Sequence, residues 1–299
     1  ADSYTDESGV ALSLGEKPLV GLISPAAMAR LAVTEALTNL MGARVTSLSD
    51  VKLQANWMLA AHLPGEGAWL WDAAISLRDT CLELGIVIDG GKDSGRMAAT
   101  LTNPDSKEAA VVPAPGQLVI ATYVGMPDIT CKVTPDLKKS GNQLVLIDLG
   151  GQPCLGATAL SQVYNQIGDN SADLSDVTHL QKAFELVQDF IAQGLILSLH
   201  DISDGGLIVT LLEMAFTGNR GFQVDLADHC DSLTSLFSEG PGIVLEVGPN
   251  DVDDIMTQLQ GAKLTAKTIG NTEEAAGYIK ISHNRRTVLS RSVAELRSL

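Results

Sequence analysis

Apolar positions recur along this chain at two spacings, and the spacing changes wherever glycine or proline intervenes. Between Val177 and Gln193, the residues Leu180, Phe184, Val187 and Ile191 share one face of a 3.6-residue repeat and predict an amphipathic helix. Ser24-Pro25 opens a second helix: Ser24 is the N-cap and Pro25 takes the first helical position, where its missing N–H costs nothing. That helix is expected over 26–41, with Ala27, Leu31, Thr34, Thr38 and Met41 inward, and with Gly42 as a left-handed stop. A third helix covers roughly 68–84 and ends at Gly85; shorter helical stretches fall at 156–164, 207–216 and 251–259. Strand-length apolar runs lie at 86–94, 118–124, 129–133, 143–149, 195–200, 242–247 and 276–282, with a strand and loop over 45–51. Residues 1–18 read as a surface segment, and 103–115, with three prolines, as a loop or long hairpin. Thr134 to Gly141 has the character of a linker, so the pattern predicts an α/β (α+β) fold in two domains, 1–137 and 138–299.

Composition narrows what such a fold can do. A length of 299 residues suits about two domains. Hydrophobic residues make up 45% and aromatics only 4%, so the core is built from Leu, Val, Ile and Ala. The net charge of −16, with no basic block, repels a nucleic-acid backbone and anionic lipid alike. No apolar run reaches the ~18 residues of a membrane span. A phosphorylated small ligand remains compatible, provided that a divalent metal and backbone N–H groups offset the acidic surface. Cys81, Cys131, Cys154 and Cys230 lack metal-site spacing and read as reduced, mostly buried thiols of a cytoplasmic protein. The polar, acidic start is no secretory signal, and a first residue other than Met suggests a processed product or a piece of a longer chain.

Three stretches carry candidate chemistry. In Leu195 to Leu207, a buried strand stops at His200, Asp201, Ser203 and Asp204, followed by Gly205-Gly206 and a helical run. Glycines that let a backbone approach closely and a helix start with free N–H groups suit an anion or metal-phosphate site. The same residues equally fit a turn whose Asp and Ser cap the next helix. Glu35 and Asn39, four apart, project together from the second helix. They form either a solvated face or the edge of a buried surface, where a carboxylate needs a partner or a cation. The run Ile86 to Ser94 also brings acidic and small residues to a glycine turn, with Lys92 as a rare local positive charge, although Gly-Gly-Lys lacks the full phosphate-loop pattern. The glycine-rich entrance to 156–164 suits either an anion or a simple tight turn. His179, His229 and His283 sit in polar surroundings and read as exposed; His62 is similar, with a place beside a cleft as the alternative.

Placed in order, the motifs Thr34-Glu-Ala-Leu-Thr-Asn39, Ala55-Asn-Trp-Met58, Leu63-Pro-Gly-Glu-Gly67, Asp89-Gly-Gly-Lys-Asp-Ser94, Val133-Thr-Pro-Asp-Leu-Lys138, His200-Asp-Ile-Ser-Asp-Gly-Gly-Leu207 and Leu211-Leu-Glu-Met-Ala-Phe216 resemble the large form of the formylglycinamide ribonucleotide amidotransferase family (phosphoribosylformylglycinamidine synthase). The resemblance runs from about Gly15 to Leu299 and is to the second of two fused aminoimidazole ribonucleotide synthetase-like copies, each a pair of α/β domains. It implies a parent ligase that uses ATP and glutamine to convert formylglycinamide ribonucleotide into its amidine in purine biosynthesis. There, ATP activates the amide oxygen as an iminophosphate and ammonia displaces phosphate. For the second copy it implies an auxiliary ATP/ADP site held through Mg2+, with Glu35, Asn39 and Asp201 as metal ligands and Ser203, Lys92, Gly205 and Gly206 toward the nucleotide. A further family carboxylate lies upstream of this chain, and Asp2 does not match it. No catalytic residue is carried over, since the copy with the active-site histidine and the glutaminase domain have no counterpart here. Those two parts are the implied partners, with the phosphorylated ribonucleotide as substrate and with self-association of the exposed face as a further expectation. Gly95-Arg96, Gly156-Ala157-Thr158 and Gly240 depart from the family pattern, so no role is carried to those loops. The alternatives are a non-catalytic nucleotide-binding scaffold and a free-standing relative, such as aminoimidazole ribonucleotide synthetase or selenophosphate synthetase.

Overall fold

In chain order the elements are β1 (Gly9–Glu16), α1 (Pro18–Gly21), α2 (Pro25–Leu40), β2 (Lys52–Met58), α3 (Glu66–Leu84), β3 (Val87–Ser94), β4 (Ala98–Thr102), β5 (Ala109–Pro113), β6 (Gln117–Met126), β7 (Gln143–Asp148), α4 (Ala159–Val163), α5 (Val177–Gln193), β8 (Ile196–Asp201), α6 (Gly206–Gly218), β9 (Arg220–Leu226), α7 (Ser232–Phe237), β10 (Gly242–Val247), α8 (Val252–Gly261), β11 (Thr265–Ala275), β12 (Tyr278–His283), β13 (Arg286–Ser292) and α9 (Val293–Arg297). This computed structural model describes residues 4–102, 107–226 and 230–298; Asp2 and His229 lie outside the described residues. Two sheets result. The first is ordered β1-β6-β2-β3, antiparallel except for β2/β3, and the second β13-β12-β9-β11-β7-β10-β8, antiparallel except for β9/β12. β4 and β5 form a separate hairpin.

The central strands of the second sheet feed two cores. Val145 and Ile147 of β7 face one side with Ile243, Leu245 and Val247 of β10, and that cluster continues through α5 into α2, α3 and the first sheet. Leu144, Leu146 and Val244 face the other side, against Leu207, Leu211 and Met214 of α6. Burial on both faces makes β7 and β10 near-continuous apolar runs. The single acid in β10, Glu246, accepts from the Lys138 and Lys139 backbone N–H groups at 2.8 and 3.2 Å and from Asn142 at 2.6 Å. The segment read as a linker is therefore pinned, with Leu137 buried beneath α6.

The long helices match the apolar pattern, including the Ser24 cap, whose hydroxyl accepts from Ala27 N–H, and the left-handed stop at Gly85. Other expectations are corrected. Residues 9–16 form β1 instead of a surface segment. α2 ends at Met41 in right-handed geometry, and Gly42 serves the close approach of Val133. Residues 45–51 hold only a short 3-10 turn before β2, and 129–133 form no strand beyond one bridge at Lys132. Gly90-Gly91 lie inside β3, where a Cβ on Gly91 would collide with the Ala55 carbonyl, so the pair answers a strand's close approach and makes no turn. Of the cysteines only Cys81 is buried, and His179 and His283 are half-buried. The strands β2, β4, β9, β11 and β13 and the short helices α1, α7 and α9 have no separate expectation in the apolar pattern.

Candidate functional site

The junction β8–turn–α6 meets α2 and the end of β1 where the two sheets' layers adjoin. β8 carries His200 and Asp201 to its C-terminal end, and α6 starts at Gly206. Gly205 has φ +85° and Gly206 φ +73°; a Cβ on Gly206 would lie 2.7 Å from the Leu236 carbonyl and 2.8 Å from the Ser238 carbonyl. Only glycine fits there. No side chain caps α6, so Ser203 and Asp204 are not helix caps.

Both instead face Lys17, the residue after β1. The Lys17 ammonium donates to Ser203 Oγ at 2.9 Å and to Asp204 Oδ1 at 2.7 Å, and pairs with Glu35 Oε1 at 3.1 Å. The Ser203 hydroxyl in turn donates to Glu35 Oε1, and Glu35 Oε2 accepts from the Glu16 backbone N–H at 2.7 Å. Lys17 is only 6% exposed. Burial pulls its pKa down, but the charges of Glu35 and Asp204 outweigh that and hold it above the usual lysine value. Asp201, 4% exposed, accepts from His200 Nδ1 at 3.1 Å, while His200 Nε2 reaches Glu213 at 3.0 Å. Burial disfavours the His200 cation, yet Asp201 and Glu213 more than compensate and raise its pKa. Behind the turn, one oxygen of Glu239 accepts from both Gly205 N–H and Ala159 N–H at 2.7 Å. Burial pushes the Glu239 carboxyl upward against those two bonds. The anion at the glycine-rich entrance of α4 is thus the chain's own, and α4 is a five-residue helix closed by a Thr158–Ser161 capping box.

The structure brings together Glu35, Asp201 and Ser203, the Asp201 side chain lying 3.5 Å from Thr38 Oγ1 on α2. Asn39, one turn beyond Glu35, is exposed and donates to the Leu14 carbonyl at 3.0 Å. Gly205 and Gly206 are in place, but their N–H groups are engaged by Glu239 and by the Ser203 carbonyl. Lys92 is elsewhere: it projects from β3, the far edge of the first sheet, bonded to Asp93 O and Ser94 Oγ at 3.1 and 2.8 Å. Three strand spacings separate β1 from β3, about 14 Å. Lys17 and Glu239 escaped sequence reasoning; Lys17 lay in a stretch read as surface, and Glu239 was seen only as the neighbour of an atypical glycine. Among the described residues no group of three or more His, Cys, Asp or Glu converges to hold a metal ion. Of the expected magnesium ligands, Glu35 is paired with Lys17, Asp201 faces His200 and Thr38, and Asn39 is bonded to the Leu14 carbonyl, so as folded none of the three presents a free oxygen set to a divalent ion.

Comparison with known proteins bears on this arrangement. Residues 1–125 match the FGAR-AT PurM_N-like domain and residues 139–281 the AIR synthase related protein, C-terminal domain. The probable phosphoribosylformylglycinamidine synthase, chloroplastic/mitochondrial, of Arabidopsis thaliana is 50% identical over 100% of this chain and 21% of its own length. The chain belongs to the formylglycinamide ribonucleotide amidotransferase family. The phosphoribosylformylglycinamidine synthase of Homo sapiens is 45% identical over 99% of this family member and 22% of its own length, so the chain spans about a fifth of these relatives. In fold it is similar to T. maritima PurL complexed with FGAR (TM-score 0.76, 14% identity, 97% of this chain, 46% of that one) and to T. maritima PurL complexed with ADP (TM-score 0.69, 15% identity, 97% and 44%). No helix among the described residues is long and apolar enough to cross a membrane.

Proposed function

We propose that this chain is the second synthetase-like half of a phosphoribosylformylglycinamidine synthase, and that the Glu35–Lys17–Ser203–Asp204 junction is where it grips the phosphates of an adenine nucleotide between its two domains. The observation that carries the reading is the side-chain bridge itself: Ser203 and Asp204 reach 186 and 187 residues back to Lys17 instead of capping their own helix. That bridge ties the β8–α6 turn to α2 and to the end of β1. The T. maritima proteins of this fold bind FGAR and ADP, which supports a nucleotide as the occupant. The reaction, formation of the amidine from formylglycinamide ribonucleotide with ATP and glutamine, belongs to the assembled enzyme, and this chain alone is a non-catalytic nucleotide-binding scaffold. No step is assigned to magnesium here.

The remaining half and a glutaminase are the proposed partners. Support comes from β1, where Val10, Leu12 and Leu14 are 63%, 76% and 60% exposed on the face turned away from α2. An apolar row of that kind on a sheet face marks an interaction surface. The test is complementation. The chain alone, given formylglycinamide ribonucleotide, ATP and ammonium, forms no amidine; mixed with the preceding half, it does. Amidine formation by the chain alone, or none by the mixture, overturns the reading.

A further inference from the structure

A carboxylate half-sunk in an apolar surface needs a cation, and the cation that Glu35 has is covalently part of the chain. An ammonium has three N–H donors. Those of Lys17 meet three oxygens, Ser203 Oγ at 2.9 Å, Asp204 Oδ1 at 2.7 Å and Glu35 Oε1 at 3.1 Å, so its hydrogen-bonding capacity is filled. The Ser203 hydroxyl gives its own proton to Glu35 and keeps a lone pair for Lys17. Two carboxylates and a hydroxyl are the hard oxygen donors that Mg2+ or Mn2+ prefers, yet each already faces the ammonium. The oxygens come from both domains, Glu35 on α2 and Ser203 and Asp204 on the β8–α6 turn.

We propose that Lys17 is a tethered counter-ion that occupies the divalent-cation position between the two domains, so that the chain as folded takes up no divalent ion there. Removing the ammonium exposes Glu35, Asp204 and Ser203 to one vacated position, and the local charge of the cluster becomes one unit more negative. Lys17→Met therefore creates a divalent site from residues already in place. This inference concerns the same junction as the nucleotide reading, but its test contains no nucleotide, so the failure of one is distinguishable from the failure of the other.

The experiment is a titration with Mn2+ alone, free ion followed by electron paramagnetic resonance and heat by calorimetry, on the 299-residue chain and on K17R, K17M, E35Q and K17M/E35Q. Circular dichroism verifies folding of each. The wild type and K17R show no saturable site that E35Q removes. K17M gains one saturable site, about tenfold tighter or more than any residual Mn2+ binding by the wild type, and K17M/E35Q loses it. Saturable Mn2+ binding by the wild type that disappears in E35Q overturns the proposal, as does a folded K17M that gains no site. Should K17M not fold, the wild type and E35Q decide alone: a site shared by neither supports the tethered cation, and one present only in the wild type refutes it.

Discussion

Removing the charge of Glu35 tests the buried Lys17–Glu35 ion pair as a source of stability. In Glu35→Gln, Lys17 remains nine-tenths buried and keeps Ser203 and Asp204, but the Asp204 side chain is 76% exposed and screens only weakly. Stripping one partner from a buried pair costs about 3–5 kcal/mol. With Asp204 still in contact, a loss of about 2–3 kcal/mol is expected, a value consistent with one or two charge-assisted hydrogen bonds. Lys17→Met costs less, about 1–2 kcal/mol, because Glu35 retains the Glu16 N–H and the Ser203 hydroxyl. Once either partner is gone, the second loss is largely spared, so the double variant falls short of the sum by about 1–2 kcal/mol. Urea denaturation at neutral pH measures all four proteins, and an unchanged slope confirms that the variants unfold from the same native state. A double variant equal to the sum of the singles, or a Glu35→Gln cost below about 0.5 kcal/mol, refutes a buried, mutually dependent pair.

Three further predictions follow from the packing and titration of the same region. Gly206→Ala puts a Cβ within 2.8 Å of the Leu236 and Ser238 carbonyls at φ +73° and should cost about 2–5 kcal/mol in urea unfolding, whereas Gly194→Ala, at φ +69° with nothing near it, should cost only about 1–2. Equal costs for the two would contradict the crowded turn. Because the His200 pKa is raised in the fold, its stabilisation is complete below the ordinary histidine value of about 6.5 and is lost as pH rises through the folded value. The wild type should thus lose stability as pH rises above about 6.5 and His200→Gln should lose less; parallel thermal-unfolding profiles would oppose this. Phe184 in α5 is 1% exposed in the core cluster that joins both domains, so Phe184→Ala should cost about 3–5 kcal/mol and still unfold in one transition, and two separated transitions would deny a shared core.

Legibility in the sequence followed which face of an element meets the core. α5 was plain because Leu180, Phe184, Val187 and Ile191 are all buried on one stripe. β10 was plain because every position is buried. β1 was missed because its signal is inverted: Val10, Leu12 and Leu14 point outward, while Ala11 and Gly15 turn inward, and a Cβ on Gly15 would strike the α2 backbone. β11 escaped because its eleven residues bury only Ile269 and Thr272. The candidate turn was legible as a strand–glycine–helix unit, whereas the bond from Ser203 to Glu35 was not, because the two residues lie 168 positions apart. Lys17 was not legible, since an ion pair spanning 187 residues leaves no local pattern. Gly90-Gly91 misled because glycine marks tight turns and close strand approaches alike.

The central claim, that the β8–α6 turn grips nucleotide phosphate, is tested most directly by calorimetric titration of ADP into the wild-type chain, Ser203→Ala and Lys92→Ala. The account predicts binding weakened about tenfold or more by Ser203→Ala, some 1.4 kcal/mol, and unaltered by Lys92→Ala. Wild-type affinity in Ser203→Ala, or loss of binding in Lys92→Ala alone, would contradict it.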